Sequence, residues 1–257
     1  MASGSGSRPI SGGPPLPAPL SDGDGKRETL PETPWYDLPI QNVASGGFTP
    51  PFVPEGDCHG TVNLAKIWGN SICVGVDSQA TNLRTKEVVN YDSLKFYRVT
   101  DNIYMTAAGS AATFHTILET LSTMVKTFPH SDRTVYEIAY HFSKYLVPPG
   151  HLPAQSLVMG WDNTSVLPHM YCATTSDDRI IDDHTFAIGS GANDIPIDHL
   201  NHLRDHPYEQ LGHVVHDTMS LLTHAAMLDP HCGGVVLGRI LKKDTPPKVC
   251  YKNYYGP

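Results

Sequence analysis

The composition of the chain changes abruptly at Thr61. Residues 1–60 contain 11 of the 22 prolines and 10 of the 22 glycines, with few aliphatic residues and no helical or alternating period. Such a segment has too little apolar surface to build a packed core, so it is a removable prosegment, a partner-contacting arm or a tail without a task. Within it, residues 35–40 carry the most apolar surface for docking. The folded core must therefore come from residues 61–257.

From Thr61 onward, short apolar runs alternate with turn residues. The runs 61–67 and 71–77 are joined by Trp68, Gly69 and Asn70, a pattern that predicts a β-hairpin because Gly and Asn tolerate positive φ. A second hairpin is predicted for 94–99 and 103–108. Further strands are predicted at 155–162, 167–173, 185–189, 233–241 and 248–254.

Three amphipathic helices are predicted between these strands, because apolar residues recur there at spacings of three and four. They are expected over 109–128, over about 133–146 with Ser131 or Asp132 as N-cap, and from 205–207 to about 226, with Pro207 in the first turn. Helices gathered in blocks between antiparallel hairpins predict an α+β fold with two stacked sheets and helical layers outside.

Bulk composition narrows the class of protein further. A chain of 257 residues that is 40% hydrophobic can bury one substantial core, which predicts one domain and a tail. The net charge of -8 argues against nucleic acid or an anionic membrane as the main partner. The sequence has no membrane-spanning run and no secretory pattern, and its five cysteines form no Cys-x-x-Cys pair, so we expect a reducing compartment, cytoplasm or nucleus.

Thr61 is a candidate nucleophile. Released as an N-terminus, a threonine carries both a hydroxyl and an amine that can take its proton. Gly60 favours that release. Because glycine has no Cβ, the peptide bond between Gly60 and Thr61 can adopt a strained geometry and be attacked by the Thr61 hydroxyl itself. Asp77 and Lys95 lie at predicted strand ends and could form a supporting ion pair, and Gly109 opens a helix whose N–H groups could stabilise an oxyanion.

A group of histidines could suggest a zinc site instead. Pro207 interrupts their helical frame, so three of them cannot share one face with a carboxylate or cysteine. We therefore predict no metal. These residues are His199, His202, His206, His213 and His216.

Several separated motifs resemble the β subunits of the eukaryotic proteasome core particle, threonine peptidases of the N-terminal nucleophile class. The matching segments, which span about Cys58 to Leu241, are His59-Gly60-Thr61 with Leu64-Ala65, Gly75 to Thr81, Ala108 to Ala112, Gly160 to Asp162, Gly189 to Gly191, and Asp229 to Gly234. The histidine before Gly60, together with Ala80 and Ala111, resembles the chymotrypsin-like β-5 type.

The resemblance implies a role for each matching residue. Thr61 would be nucleophile and base, Asp77 and Lys95 its ion pair, and Gly109 the oxyanion donor. Ser190 and Asp229 would orient the Thr61 amine, with Cys232 beside them. Thr81 would pair its backbone with bound peptide. The pocket for the substrate side chain would be lined by Ala80, Ser93, Ala107 and Ala111.

The resemblance also implies a fold, a reaction and partners. The expected fold is a four-layer αββα sandwich with two antiparallel sheets between helical layers. Residues 1–60 would be a prosegment released by self-cleavage between Gly60 and Thr61, leaving a 61–257 peptidase domain. That domain would need no cofactor and would join a seven-membered β ring stacked on α rings. It would cleave unfolded polypeptides after hydrophobic residues, in ubiquitin-dependent protein degradation in cytoplasm and nucleus.

Some residues depart from the family pattern. Cys232 stands where serine is usual, a weaker hydrogen-bonding group, and Ala107 stands where a β-5 subunit normally has Met, which should deepen the pocket. Val62, Asn63, Gln79 and Thr113 also differ. Two alternatives therefore stay open: a structural ring subunit with little activity, and a stand-alone hydrolase acting on small amides.

Overall fold

A computed structural model describes residues 58–82, 84–91, 93–127, 133–177 and 179–255. The strands are β1 (Cys58–His59), β2 (Asn63–Trp68), β3 (Ser71–Val76), β4 (Ala80–Asn82), β5 (Val88–Asn90), β6 (Phe96–Arg98), β7 (Ile103–Thr106), β8 (Ala108–Gly109), β9 (Ala154–Gly160), β10 (His169–Thr174), β11 (Ile180–Asp182), β12 (Thr185–Ile188), β13 (Gly234–Lys242) and β14 (Lys248–Tyr255). The α-helices are α1 (Ala111–Thr127), α2 (Val135–Ser143), α3 (Ile197–Asp205) and α4 (Leu211–Leu228). Residues 1–57, for which the sequence predicts a tail with its most apolar part at 35–40, lie outside the described residues.

A five-stranded antiparallel sheet contains β2, which follows Thr61, and β3, which leads into Asp77. Its strand order is β12-β2-β3-β13-β14. The predicted hairpin is present, with Trp68 paired to Ser71 across the turn. Helix α4 packs closely on this sheet, because a Cβ at Gly75 would lie only 2.4 Å from Leu222 and 2.7 Å from Met219. The glycine thus brings α4 down onto β3, the strand that leads into Asp77.

The second large sheet has six strands, in the order β11-β10-β9-β7-β6, with β8 pairing beside β9. Helices α1 and α2 cover it with the apolar faces that the sequence predicted. Ile117 and Leu121 from α1, Ile138 and Phe142 from α2, and Val158 from β9 share one buried cluster. This packing holds the start of α1, and therefore Gly109, against the sheet.

A small third sheet was not expected from the sequence. Its order is β1-β4-β5, and its register pairs His59 with Thr81 and Cys58 with Asn82. Each of its strands is only two or three residues long. It places the residues just before Thr61 alongside β4.

Two helix predictions are corrected. Helix α2 begins at Val135 with Thr134 as its N-cap, in a capping box with Glu137, instead of the predicted Ser131 or Asp132. The third helix does not begin at 205–207: α3 ends at Asp205 and α4 begins at Leu211. Pro207 therefore lies in the connection between two helices, because its ring and missing N–H favour a break there.

Hydrogen bonds join the two larger sheets at opposite ends of the five-stranded sheet. The Asn63 side chain donates to the carbonyl oxygen of Ala107, with an N–O distance of 3.0 Å. At the far end, Asn102 donates to Asp244 Oδ1 at 2.7 Å and accepts from the Asp244 N–H at 2.8 Å. Mixed helices and antiparallel sheets confirm the α+β class. The four-layer order remains a prediction.

No helix in the described ranges is long and apolar enough to cross a membrane. The sequence had shown no apolar run of that length.

Candidate active site

Thr61 lies in the short connection between β1 and β2 and is only 4% exposed. Its hydroxyl donates to the carbonyl oxygen of Gly60 at 2.5 Å, and its N–H donates to Ser190 Oγ at 3.5 Å. Its own carbonyl oxygen accepts from the Gly191 N–H at 3.2 Å. The hydroxyl is therefore held beside the peptide bond that precedes it.

Lys95 and Asp77 form a buried ion pair next to Thr61. Lys95 Nζ lies 2.8 Å from Asp77 Oδ1, and the two side chains are 7% and 0% exposed. Asp77 also accepts from the N–H groups of Val62 at 3.0 Å and Gly233 at 3.1 Å. Burial raises the pKa of Asp77 above its usual range, while Lys95 and these two N–H groups counteract the rise. Asp77 and Lys95 thus form the ion pair that the sequence predicted, but they do not lie at the end of one sheet as expected. Asp77 follows β3 of the five-stranded sheet, whereas Lys95 precedes β6 of the six-stranded sheet.

The Lys95 ammonium has two further acceptors. It donates to the carbonyl oxygens of Gly60 and Gln79, each at 2.6 Å. An ammonium has three donors, so Asp77 and these carbonyls use all of them. Lys95 therefore links the candidate nucleophile's neighbour, Gly60, to the buried carboxylate.

Asp229, Ser190 and Cys232 form a second cluster on the amine side of Thr61. Asp229 accepts from the His231 N–H at 2.9 Å and from Cys232 Sγ at 3.2 Å. Burial acts to raise the pKa of Asp229, but hydrogen bonds, led by that of Ser190, hold it below its usual range. Burial, aided by the Asp77 charge, raises the pKa of the Cys232 thiol, which stays protonated and donates.

Gly109 lies on β8 and lines a cavity beside Thr61. Its φ is 78°, and a Cβ there would lie 2.6 Å from the carbonyl oxygen of Pro153. Only glycine fits this close approach of β8 to the segment before β9. The next residue, Ser110, accepts from the Thr113 N–H at 3.1 Å and so caps α1.

One cavity brings together the four residues expected to receive a substrate side chain. Its lining includes Ala80, Ser93, Ala107 and Ala111, together with Thr61, Lys95 and Gly109. Sequence reasoning missed two further lining residues, the buried aromatic side chains of Tyr97 and Phe114, whose rings lie 5.5 Å apart. The sequence signal that could have found them is their position on the inward-facing sides of β6 and α1.

Thr81 does not line that cavity. It lies on β4 opposite His59 of the small sheet. The resemblance implied that the Thr81 backbone pairs with a bound peptide. In this chain it pairs with His59, which precedes Thr61.

Two supporting residues were also missed as site residues. Gln79 donates from Nε2 to the carbonyl oxygen of Pro230 at 2.9 Å, which ties the loop before β13 to the end of β3. Gly189 has a φ of 93°, and a Cβ there would lie 2.1 Å from the Thr61 carbonyl oxygen. The Gly189-Ser190-Gly191 motif was the sequence signal for this close contact.

The histidines do not assemble with other ligands. Over the ranges that the structure describes, no group of three or more His, Cys, Asp or Glu side chains could hold a metal ion. His202 and His206 stack on one another instead, with ring centroids 4.6 Å apart.

The fold and this cluster define an α+β protein with a buried threonine beside a Lys–Asp pair. The family model described as "Proteasome subunit" matches residues 59–196, a little over half of the 257 residues. The chain therefore belongs to the proteasome subunit family, and membership implies assembly with other proteasome subunits. The matched range includes Thr61, Lys95 and Ser190 but ends before Asp229 and Cys232. No curated protein matched the chain.

Proposed function

We propose that this chain is a catalytic β subunit of the proteasome core, of the β-5 type, with Thr61 as its nucleophile. The observation that carries the proposal is the meeting of three groups: the Thr61 hydroxyl, the Gly60 carbonyl and the Lys95 ammonium, joined by contacts of 2.5 and 2.6 Å. A purely structural subunit has no need of this arrangement in a buried position.

Self-cleavage would begin at the Gly60 carbonyl carbon. The Thr61 oxygen attacks it, the hydroxyl proton passes to the departing amide nitrogen, and an ester replaces the peptide bond. Water then hydrolyses the ester, which leaves a carboxylate on Gly60 and a free amine on Thr61. Lys95 stabilises the charge that develops on the Gly60 oxygen during the attack.

Peptide hydrolysis would reuse the same atoms. The freed Thr61 amine takes the proton from its own hydroxyl, the oxygen attacks the substrate carbonyl, and the proton goes to the leaving amine. Water releases the acyl group and restores Thr61. The ion pair of Lys95 and Asp77 keeps a positive charge beside the Thr61 hydroxyl. Ser190 and Asp229 orient the Thr61 amine.

The finer parts of the proposal rest on the cavity and on the family. The cavity wall of Ala80, Ala107 and Ala111, with Tyr97 and Phe114, favours apolar side chains at the residue whose carbonyl is attacked, here called the scissile residue. We extend to this chain the four-layer αββα sandwich, a place in a seven-membered β ring stacked on α rings, and the degradation of unfolded polypeptides by the ubiquitin pathway in cytoplasm and nucleus. Residues 1–60 are the proposed prosegment.

The mass of this chain in purified, assembled particles tests the proposal. We expect the native chain to begin at Thr61, Thr61→Ala to keep residues before position 61, and Thr61→Ser to be processed more slowly. A threonine-directed covalent probe should label the native chain and spare Thr61→Ala, with the sister subunits as internal controls. A native chain that keeps Thr61 internal in assembled particles would contradict the proposal.

A second candidate, a structural β subunit with little activity, is favoured by one observation. Cys232 Sγ lies 3.8 Å from Ser190 Oγ, a weak contact beside the Thr61 N–H. On this alternative, the native chain is processed but reacts with the probe far more slowly than its sisters, and Cys232→Ser restores labelling. Equal labelling of native chain and Cys232→Ser would exclude it.

A further inference from the structure

The imidazole of His231 packs against the residues that precede Thr61. Its ring centroid lies 5.1 Å from that of His59, with the ring planes tilted by 41°. The His231 N–H donates to Asp229 at 2.9 Å, which fixes the backbone of the loop before β13. The ring is therefore held at a defined place beside the proposed scissile bond.

His59 occupies a position that a substrate would take. It pairs with Thr81 of β4 in antiparallel register, one residue before Gly60. Loss of the prosegment would vacate this place. A peptide whose scissile carbonyl lies beside the Thr61 hydroxyl, and whose backbone pairs with Thr81, then puts its preceding residue where His59 lies now.

A substrate's scissile residue cannot adopt the backbone conformation of Gly60 if it has a side chain. Its φ is 103°, and a Cβ there would lie 2.1 Å from the His231 carbonyl oxygen. A substrate residue with a side chain must therefore turn differently at this point and direct that side chain into the cavity. The residue before it is placed by its own strand pairing with Thr81, as His59 is here.

We propose that His231 selects peptide substrates that carry a flat ring, aromatic or imidazole, in the residue immediately before the scissile residue. This assignment rests on the proposed peptidase function. Tilted ring pairs with centroids 4.5–7 Å apart attract each other beyond the apolar area they bury, by roughly two- to tenfold in a rate or binding constant. Among the described residues, His231 Nδ1 is buried and has no hydrogen-bond partner.

The test compares two fluorogenic peptides in assembled particles whose other catalytic threonines are replaced by alanine. The peptides share an apolar scissile residue and differ only in the residue before it, Phe or Ala. We expect kcat/KM for the Phe peptide to exceed that for the Ala peptide by about two- to tenfold in the native chain. His231→Ala should bring the ratio close to one, whereas His231→Phe should keep it. His213→Ala, an exposed histidine on α4, is the matched control.

Each outcome decides the matter. An unchanged ratio in His231→Ala, or a ratio lost in His231→Phe as well, would overturn the selection by a ring. Intact mass of each variant separates an effect on processing from an effect on substrate choice, since only chains that begin at Thr61 are compared. No hydrolysis of either peptide by native particles would reject the peptidase itself, and this assignment with it.

Discussion

The Lys95 ammonium donates a 2.6 Å hydrogen bond to the carbonyl oxygen of Gly60, the residue before the candidate nucleophile. A cation on this oxygen draws electron density from the carbonyl carbon and stabilises an oxyanion formed there. Since the same ammonium neutralises the buried Asp77, it serves the fold as well as the proposed chemistry.

Lys95→Met should therefore abolish self-cleavage and destabilise the chain. Removing one partner leaves a buried charge on Asp77 uncompensated, a loss of about 3–5 kcal/mol in the free energy of unfolding. Urea unfolding and the mass of the chain in assembled particles measure the two effects. Lys66→Met is the matched control, because Lys66 is also buried and donates to a backbone carbonyl, that of Arg204, at 2.6 Å, but does not contact Thr61. Normal processing of Lys95→Met would refute the role given to Lys95.

Gly189 fixes the position of Thr61 from the opposite side. A Cβ at Gly189 would lie 2.1 Å from the Thr61 carbonyl oxygen, and the φ of 93° suits glycine alone. Gly189→Ala should therefore cost about 2–5 kcal/mol of stability and displace Thr61, with loss of processing. Gly212→Ala is the control: it lies in α4 with nothing within 4 Å of the added carbon and should stabilise by about 0.5–1 kcal/mol. Equal unfolding free energies for the two variants would contradict this account.

We expect Ala107 to set the width of the cavity. It lies on the cavity lining, and its carbonyl oxygen is held by Asn63 at 3.0 Å, so a larger side chain there must extend into the cavity. Ala107→Met should reduce kcat/KM for peptides with Trp at the scissile residue by at least about tenfold relative to peptides with Val. Fluorogenic peptides that differ only at that residue measure the ratio. The same ratio in native and variant particles would show that residue 107 does not limit the pocket.

The sequence predicted the ion pair because Asp77 and Lys95 lie beside apolar runs that read as strands, and it predicted the cavity lining only through the family resemblance. Asp77 follows β3 directly, and Lys95 comes just before β6. It could not predict the small sheet, since strands of two or three residues are too short to show an alternating pattern. It also missed α3, in which Leu203 is the only buried residue, so no apolar stripe marks that helix.

The contact between His59 and His231 shows the other limit of the sequence. The two residues are brought together by the pairing of β1 with β4 and by the loop that follows α4. No local pattern of residues encodes such a long-range meeting. The shift of the α2 cap from the predicted Ser131 or Asp132 to Thr134 is a smaller case. Of these three residues, only Thr134 stands three positions before Glu137, the spacing that the reciprocal bond of a capping box needs.

Asp229 should make the stability of the chain depend on pH on the acid side. Its pKa in the folded chain lies below the ordinary value of 3.8, so its contribution is complete above that value and is lost as pH falls through the folded one. Asp229→Asn removes the charge and should cost about 1–3 kcal/mol at pH 7. The difference in unfolding free energy between native chain and Asp229→Asn, measured in urea from pH 3 to 7, should be constant above about pH 5 and shrink below about pH 4. Glu209→Gln removes an exposed carboxylate and is the control, for which the difference from the native chain should not vary with pH in this way. For Asp229→Asn, a difference that stays constant down to pH 3 would mean that the hydrogen bonds from Ser190, His231 and Cys232 do not favour the charged form.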